Sequence, residues 1–341
     1  MSQNRYAYLI GANGPAEMRL KYAEKDVSLL AEALKGTYCQ FTCTEVVTAH
    51  SRADALKGFK SFTERCQPSD LLLIHFSGHA VFDEQLYLLC NDTDANDLLS
   101  TALEITTVKT LLRKSKSGYK VLILDCCHAA GAHSGGLKGE QDIRAMLHST
   151  MQGSATIILS ACSRKDRTRE LDELDGGAGF LSWAICTACT TNFHEASSHP
   201  DLGILSLDDL WRNWLPKALE HVNKTLSVDP PLPPPILLSE RACGPGNEVW
   251  LTPPPSPELD LHRTRDNEET RRKYLENVHK RYSSVTLPIG PAEGFSLQAI
   301  FQPLALRRDP LAAEDLERRQ RRTFLGEQTQ ESDIAFDASS S

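Results

Sequence analysis

Two short apolar runs lead into side chains that can do covalent chemistry. Val121-Leu122-Ile123-Leu124 runs into Asp125-Cys126-Cys127-His128, and Leu71-Leu72-Leu73-Ile74 runs into His75-Phe76-Ser77-Gly78-His79. Acyl transfer by a thiol needs a thiolate, a proton shuttle and hydrogen-bond donors for the oxyanion. Cys127 and His79 are the candidate nucleophile and general acid/base, and the backbone amides of Cys127 and Ala80 are the candidate oxyanion donors. A helix starting just after Asp125 would add free amides and a dipole that favour the thiolate. Alone, each residue has a plainer explanation: cysteine is a common core residue, and a single histidine is often a satisfied buried polar group. Within the two motifs Cys126, His75 and His128 are rivals, and strand alternation does not choose among them.

Such a pair can meet only if the two runs are neighbouring strands, because an open parallel sheet gathers its chemistry at the carboxyl ends of its strands. The rest of the chain supplies that frame. Tyr6–Gly11 reads as a strand, and Val27, Leu30, Ala31 and Leu34 repeat at i, i+3, i+4, i+7 as one face of a helix closed by Gly36. A strand near Phe41–Val47 and a helix carrying Leu56, Phe59 and Phe62 precede Leu71–Phe76. A helix around Val108–Leu112 precedes Val121–Asp125, a helix is expected near Ile143–Met151, and Ala155–Ala161 is a further strand. Phe180–Cys189 and the stretch from Leu207 to Val222 read as helices, the latter with Ser206-Leu207-Asp208-Asp209 as capping box. Strands alternating with helices predict an α/β fold: a mainly parallel central sheet flanked by helices in a three-layer sandwich.

The last third changes character. The peptidase-like unit is expected over residues 1–241, a Pro-rich linker over 242–267, a helical or mixed connector over 268–326 and a disordered tail over 327–341. Of 341 residues 40% are hydrophobic and 24% charged, with a formal net charge of −8, which opposes non-specific binding to nucleic acid or anionic membrane. Ten cysteines are scattered through apolar stretches, and Met1–Met18 has neither a basic n-region nor a long apolar core. Reduced thiols in a cytoplasmic setting are therefore expected. No apolar run approaches a membrane span.

From Tyr6 to about Leu238 the chain resembles the caspase-like cysteine peptidases, in their metacaspase, paracaspase and bacterial branch. The resemblance rests on Tyr8-Leu9-Ile10-Gly11, Leu20–Val27, Phe76-Ser77-Gly78-His79, Leu124-Asp125-Cys126-Cys127-His128, Leu159-Ser160-Ala161-Cys162 and Gly179–Trp183. The separation of 48 residues between His79 and Cys127 also matches the roughly 50 of caspases. In that family the histidine follows Ser-Gly and the nucleophile is third in Asp-x-Cys-His, which implies the dyad His79 and Cys127. The chain departs from the pattern at Ala80, where glycine is usual, and around Ala130-Gly131.

The resemblance further implies that Asp26 and Asp125 hold the Arg or Lys of a protein or peptide substrate, through charge-assisted pairs in a partly desolvated pocket. Arg164, Lys165, Arg167 and Arg169 form a candidate self-cleavage loop, within a segment from Ser163 to Gly179 whose charges read as exposed and mobile. No metal or cofactor is expected: Asp172, Glu173 and Asp175 read as surface, and Cys186-Thr187-Ala188-Cys189 lacks a second pair. Arg271–Arg308 resembles the connector before NACHT-type nucleotide-switch modules, which implies a sensor module or other activating protein as partner. No P-loop sequence is present. Regulated cell death or defence is the setting that the family implies. The rivals are a pseudoprotease acting as an interaction module, kept open by Ala80, and a thiol phosphatase, which lacks its arginine because position 133 is His.

Overall fold

The computed structural model describes residues 3–83, 85–130, 143–161, 170–226, 228, 231–239, 248–255 and 272, with backbone alone at 127–130 and 143–146. The chain divides into two units, Met1–His262 and Arg263–Ser341, and every element below belongs to the first. In order these are β1 (Arg5–Gly11), α1 (Ala23–Lys35), β2 (Cys43–Thr48), α2 (Arg52–Leu56), α3 (Phe59–Glu64), β3 (Leu71–Asp83) and β4 (Gln85–Leu88). Next come α4 (Leu98–Thr101), β5 (Leu103–Glu104), α5 (Ile105–Lys114), β6 (Tyr119–Ala130), α6 (Ile143–Met151) and β7 (Thr156–Ser160). The last are β8 (Glu170–Leu171), β9 (Ala178–Gly179), α7 (Phe180–Ala188), α8 (Phe193–Ala196), α9 (Leu207–Asp209), α10 (Leu215–Thr225) and β10 (Ile236–Ser239).

The expected α/β architecture is present. The sheet runs β10-β7-β6-β3-β1-β2, parallel along this path except for β10, which lies antiparallel on β7, and β4 and β5 branch from β3 as further antiparallel strands. A parallel sheet is buried on both faces, so its strands are apolar on both. One layer takes Leu9, Leu73, Val121 and Ile123 against α1 and α7; the other takes Tyr8, Leu72, Ile74, Phe76, Leu122 and Leu124 against α3 and α5. Tyr8 stacks on Phe59 at 4.8 Å between ring centres, worth about 0.5–1.5 kcal/mol beyond the area buried.

Four differences from the sequence reading have local causes. The helix expected through Leu56, Phe59 and Phe62 is two helices, because Gly58 turns the chain at φ +80. The helical stretch from Leu207 to Thr225 carries a π turn over Leu210–Trp214 just ahead of Pro216, whose missing N–H cannot serve an unbroken α ladder. Packed chain also continues past Arg241: Val249, Trp250 and Leu251 are buried, and the Leu207 amide donates to the Val249 carbonyl at 2.8 Å. That apolar triplet gives part of the expected linker a place in the first unit.

The fourth difference bears on the site. β3 and β6 do not end at their apolar runs but continue through both motifs, to Asp83 and Ala130. Cys127 therefore stands within a strand, and no helix begins among the described residues 126–130 that follow Asp125. The strands are long because β3 keeps partners on both sides, β6 along its whole length and β4 from Ala80 onward.

Candidate active site

β3 presents alternate residues to alternate layers. His75, Ser77 and His79 fall on the face toward α1 and α7, whereas Phe76 and Ala80 belong to the opposite core. β6 pairs with it in parallel, and Ser77 is in register with Asp125, Gly78 with Cys126 and His79 with Cys127. Neighbouring strands run about 4.8 Å apart, so the His79 and Cys127 positions are adjacent. Cys126 packs with Leu122, Leu124 and Phe76 in the opposite layer, 2% exposed.

His79 is held from the β1–α1 loop. Its Nε2 meets the Met18 carbonyl oxygen, and since a carbonyl only accepts, Nε2 carries the proton and Nδ1 is left as the basic nitrogen. Gly14, at φ +83, lies so close that a Cβ there would sit 2.8 Å from the imidazole Cδ2. Asn91 Oδ1 accepts from the Gly14 amide at 2.9 Å, and the Asn91 amide group donates to Glu24 at 2.9 Å. Burial lowers the His79 pKa, opposed by the Met18 carbonyl and the charge of Glu170. Ala80 is fully buried within β3, paired with β6 on one side and with β4 on the other. An oxyanion role for its amide requires that this pairing yield.

Asp26 and Asp125 converge beside this pair, although 99 residues separate them in sequence (125 minus 26). Asp26 lies on the buried face of α1 between Ala23 and Leu30, and is 2% exposed. Ser77 donates its hydroxyl to Asp26 at 2.9 Å, and the Gly179 amide donates to both Asp26 oxygens at 3.2 Å. Ser182 donates its amide to Asp125 at 2.7 Å. A Cβ on Gly179 would stand 2.7 Å from Asp125 Oδ2 and 3.0 Å from Asp26 Oδ2, so this glycine lets both carboxyl groups close on one point. Burial and then the neighbouring Asp125 push Asp26 up to about 7, while the bonds from Ser77 and Gly179 pull the other way. Burial likewise raises Asp125. Two like charges in a desolvated pocket leave an electrostatic demand for a cation. A cleft of about 340 Å³ between α1 and α7, walled in part by Asp175, Ser182 and Trp183, borders Asp26.

The candidate self-cleavage residues 164, 165, 167 and 169 lie outside the described residues. The segment from Glu170 to Gly179 is fastened down, in contrast to the mobile loop expected from its charges. Glu170 accepts from the Lys21 and Tyr22 amides at 2.7 and 2.6 Å, satisfying donors at the start of α1. Asp172 accepts from the Tyr22 hydroxyl at 2.6 Å and pairs with Lys21 at 3.3 Å, and Lys25 donates to the carbonyls of Asp175, Gly176 and Gly177. This strap carries Gly179 to the acid pair. Composition concealed it, because the charges that read as solvated are its fastenings. Gly177, at φ +102, lies where a Cβ would be 2.0 Å from Tyr22 Cζ. Gly177→Ala is expected to cost about 2–4 kcal/mol through backbone strain and overlap, read by calorimetry as a lowered Tm; an unchanged Tm would mean that the strap does not depend on this contact.

The sheet thus places His79 and Cys127 in register on adjacent central strands, beside the buried Asp26 and Asp125. The family model for the caspase domain matches residues 4–206, more than half of the chain, and the chain belongs to that family of caspase-like cysteine peptidases. Among solved structures, a protein from Geobacter sulfurreducens is similar at 14% identity and a TM-score of 0.45, over 71% of this chain and 95% of that one. No curated protein matches significantly. Among the described residues no helix is long and apolar enough to cross a membrane.

Proposed function

We propose that the chain is a cysteine endopeptidase of the metacaspase and paracaspase-like bacterial branch, cleaving after Arg or Lys with Cys127 as nucleophile and His79 as general acid/base. The observation that carries this reading is the convergence of Asp26 and Asp125 at Gly179, on the face of the sheet where His79 and Cys127 stand in register. His79 Nδ1 takes the thiol proton, and the thiolate adds to the scissile carbonyl carbon. The imidazolium then returns that proton to the departing amine as the C–N bond breaks. Water, deprotonated by the same nitrogen, hydrolyses the thioester and frees Cys127. The substrate's guanidinium or ammonium meets the acid pair, which rejects an acidic side chain.

The biological reading is an effector in regulated cell death or defence, activated by cutting at Arg164–Arg169 or by a NACHT-type sensor or other protein engaging residues 268–326. Hydrolysis of fluorogenic peptides ending in Arg, Lys or Asp tests the core of it. Turnover is expected after Arg and Lys and not after Asp. Cleavage after Asp alone would overturn the basic preference. Absence of turnover by both intact and loop-cleaved chain would favour the interaction-module reading, which draws on Ala80 lying inside paired strands.

A further inference from the structure

His79 sits on β3, but its ring is oriented from other elements. The β1–α1 connection supplies the grip: Met18 accepts the Nε2–H, and Gly14 lies against the Cδ2 edge, where a Cβ would stand 2.8 Å from Cδ2 and 3.7 Å from Nε2. Both contacts fall on one side of the imidazole, and Nδ1 is across the ring from them. The connection has little packing of its own around Met18, since residues 16–19 are exposed. From within it is closed by the Met18 amide on the Pro15 carbonyl at 3.1 Å and the Leu20 amide on the Asn13 carbonyl at 2.6 Å.

Asn91, in the connection from β4 to α4, reaches this turn from outside. Its Oδ1 accepts from the Gly14 amide at 2.9 Å, and its Nδ2 donates to Glu24 Oε1, on the first turn of α1, at 2.9 Å. The two partners fix which way the carboxamide points. An amide N–H needs an acceptor and a carboxylate needs a donor, so the flipped group would set N–H against N–H and oxygen against oxygen. Asn91 is placed by backbone bonds that do not depend on its side chain. Its amide donates to the Ala49 carbonyl at 3.0 Å, the Asp92 amide to the His50 carbonyl at 2.9 Å, and the Leu89 amide to the carbonyl of His79 itself at 2.9 Å. A third side-chain contact, between Nδ2 and His50 Nδ1 at 3.4 Å, is longer and exposed.

We propose that Asn91 is a positioning residue for the general base: its carboxamide, clamped between the Gly14 amide and Glu24, holds the β1–α1 turn against the His79 ring, so that the Met18 carbonyl keeps the proton on Nε2 and Nδ1 stays free for the thiol proton. The catalytic consequence rests on the peptidase reading above; the clamp itself does not. Leucine at this position would delete both bonds and leave Gly14 without its acceptor. The ring would then lose the surface that sets its angle, and proton transfer depends steeply on such angles.

The test reads the nuclear Overhauser contact between Gly14 Hα and His79 Hδ2 in the intact chain, with the ring 15N shifts as a second signal, both assigned by their loss in His79→Ala. The native chain is expected to show the contact and the Nε2–H tautomer alone. Asn91→Leu is expected to lose the contact and to show both tautomers. In a chain that turns over, the same change should lower kcat for an Arg-ending peptide about 10–100-fold and leave KM within about twofold, since it displaces the base and not the acid pair.

A charge swap decides the matter if Asn91→Leu does not fold. In a His50→Leu background, which removes the third partner, Asn91→Asp sets two carboxylates together and should lose the contact. Adding Glu24→Gln, whose amide can donate to the introduced carboxylate, should restore it, while Glu24→Gln alone still offers an acceptor and should stay close to native. A contact that persists in Asn91→Leu, a swap that restores nothing, or a raised KM at constant kcat would each overturn the clamp. Because the contact is read without turnover, a chain that cleaves nothing would sink the peptidase reading and leave the clamp standing; an unmoved contact in an active chain would do the reverse.

Discussion

Cys127→Ala is expected to abolish hydrolysis of Arg-ending peptides, to at least about 10⁴-fold below the native kcat, and His79→Ala is expected to lower kcat by about 10²–10⁴-fold. The inequality follows from the roles. Removing the sulfur removes the covalent route, whereas removing the imidazole leaves a thiol that can still ionise in part. An Arg-directed acyloxymethyl ketone is expected to modify Cys127 alone. Cys126 cannot compete, since it is packed against Leu124 and Phe76 in the opposite layer. Burial raises the thiols of Cys66 to about 11 and of Cys90 and Cys186 to about 12, so these hold their protons at neutral pH. Peptide mapping that found the label on Cys126 would overturn the assignment, and so would full activity in Cys127→Ala.

The two motifs were legible because their residue types are unusual next to apolar strands, and their meeting depended on register. From Leu71 to His79 and from Tyr119 to Cys127 the step is the same eight residues, and Leu71 pairs with Tyr119. The sequence hid this because Tyr119-Lys120 does not read as the start of a buried strand, so the two runs read as unequal in length. Asp26 was marked by the family resemblance and not by its spacing, since a carboxylate in the first turn of a helix also reads as a favourable end charge; the structure buries it with Ala23, Val27 and Leu30. Met18 and Glu170 left no such trace. Met18 acts through its carbonyl, which every residue has, and Glu170 through a contact to Lys21 and Tyr22 that spans nearly half the chain. The break at Gly58 could have been read, since glycine interrupts helices; the strap could not, because charge alone does not tell a fastening from a solvated loop.

Asp26→Asn is expected to separate substrate binding from stability, moving the two in opposite directions. Asp26 in the folded chain is raised to about 7 from its ordinary value of 3.8. The native state therefore binds more protons than the unfolded one between about pH 4 and 7. Stability falls as pH rises through that window, because the slope follows protons bound unfolded minus folded. At neutral pH and above, Asn keeps an acceptor for Gly179 and Ser77 and no longer crowds a charge against Asp125. A stability gain on the order of 2–4 kcal/mol at pH 8 is expected, measured by denaturant titration. Binding runs the other way. A cationic side chain selects the ionised pair, so native kcat/KM for an Arg-ending peptide should fall as pH drops below about 7, while His79, lowered by burial, imposes its own limb at more acid pH. Asp26→Asn should cut kcat/KM about 10²–10³-fold at pH 8, the cost of truncating one partner of a buried charge pair, and should displace the acid limb toward lower pH. A variant that lost activity without gaining stability would mean that Asp26 is ionised and already compensated in the free chain, and the acid pair would then not be waiting for the substrate's charge.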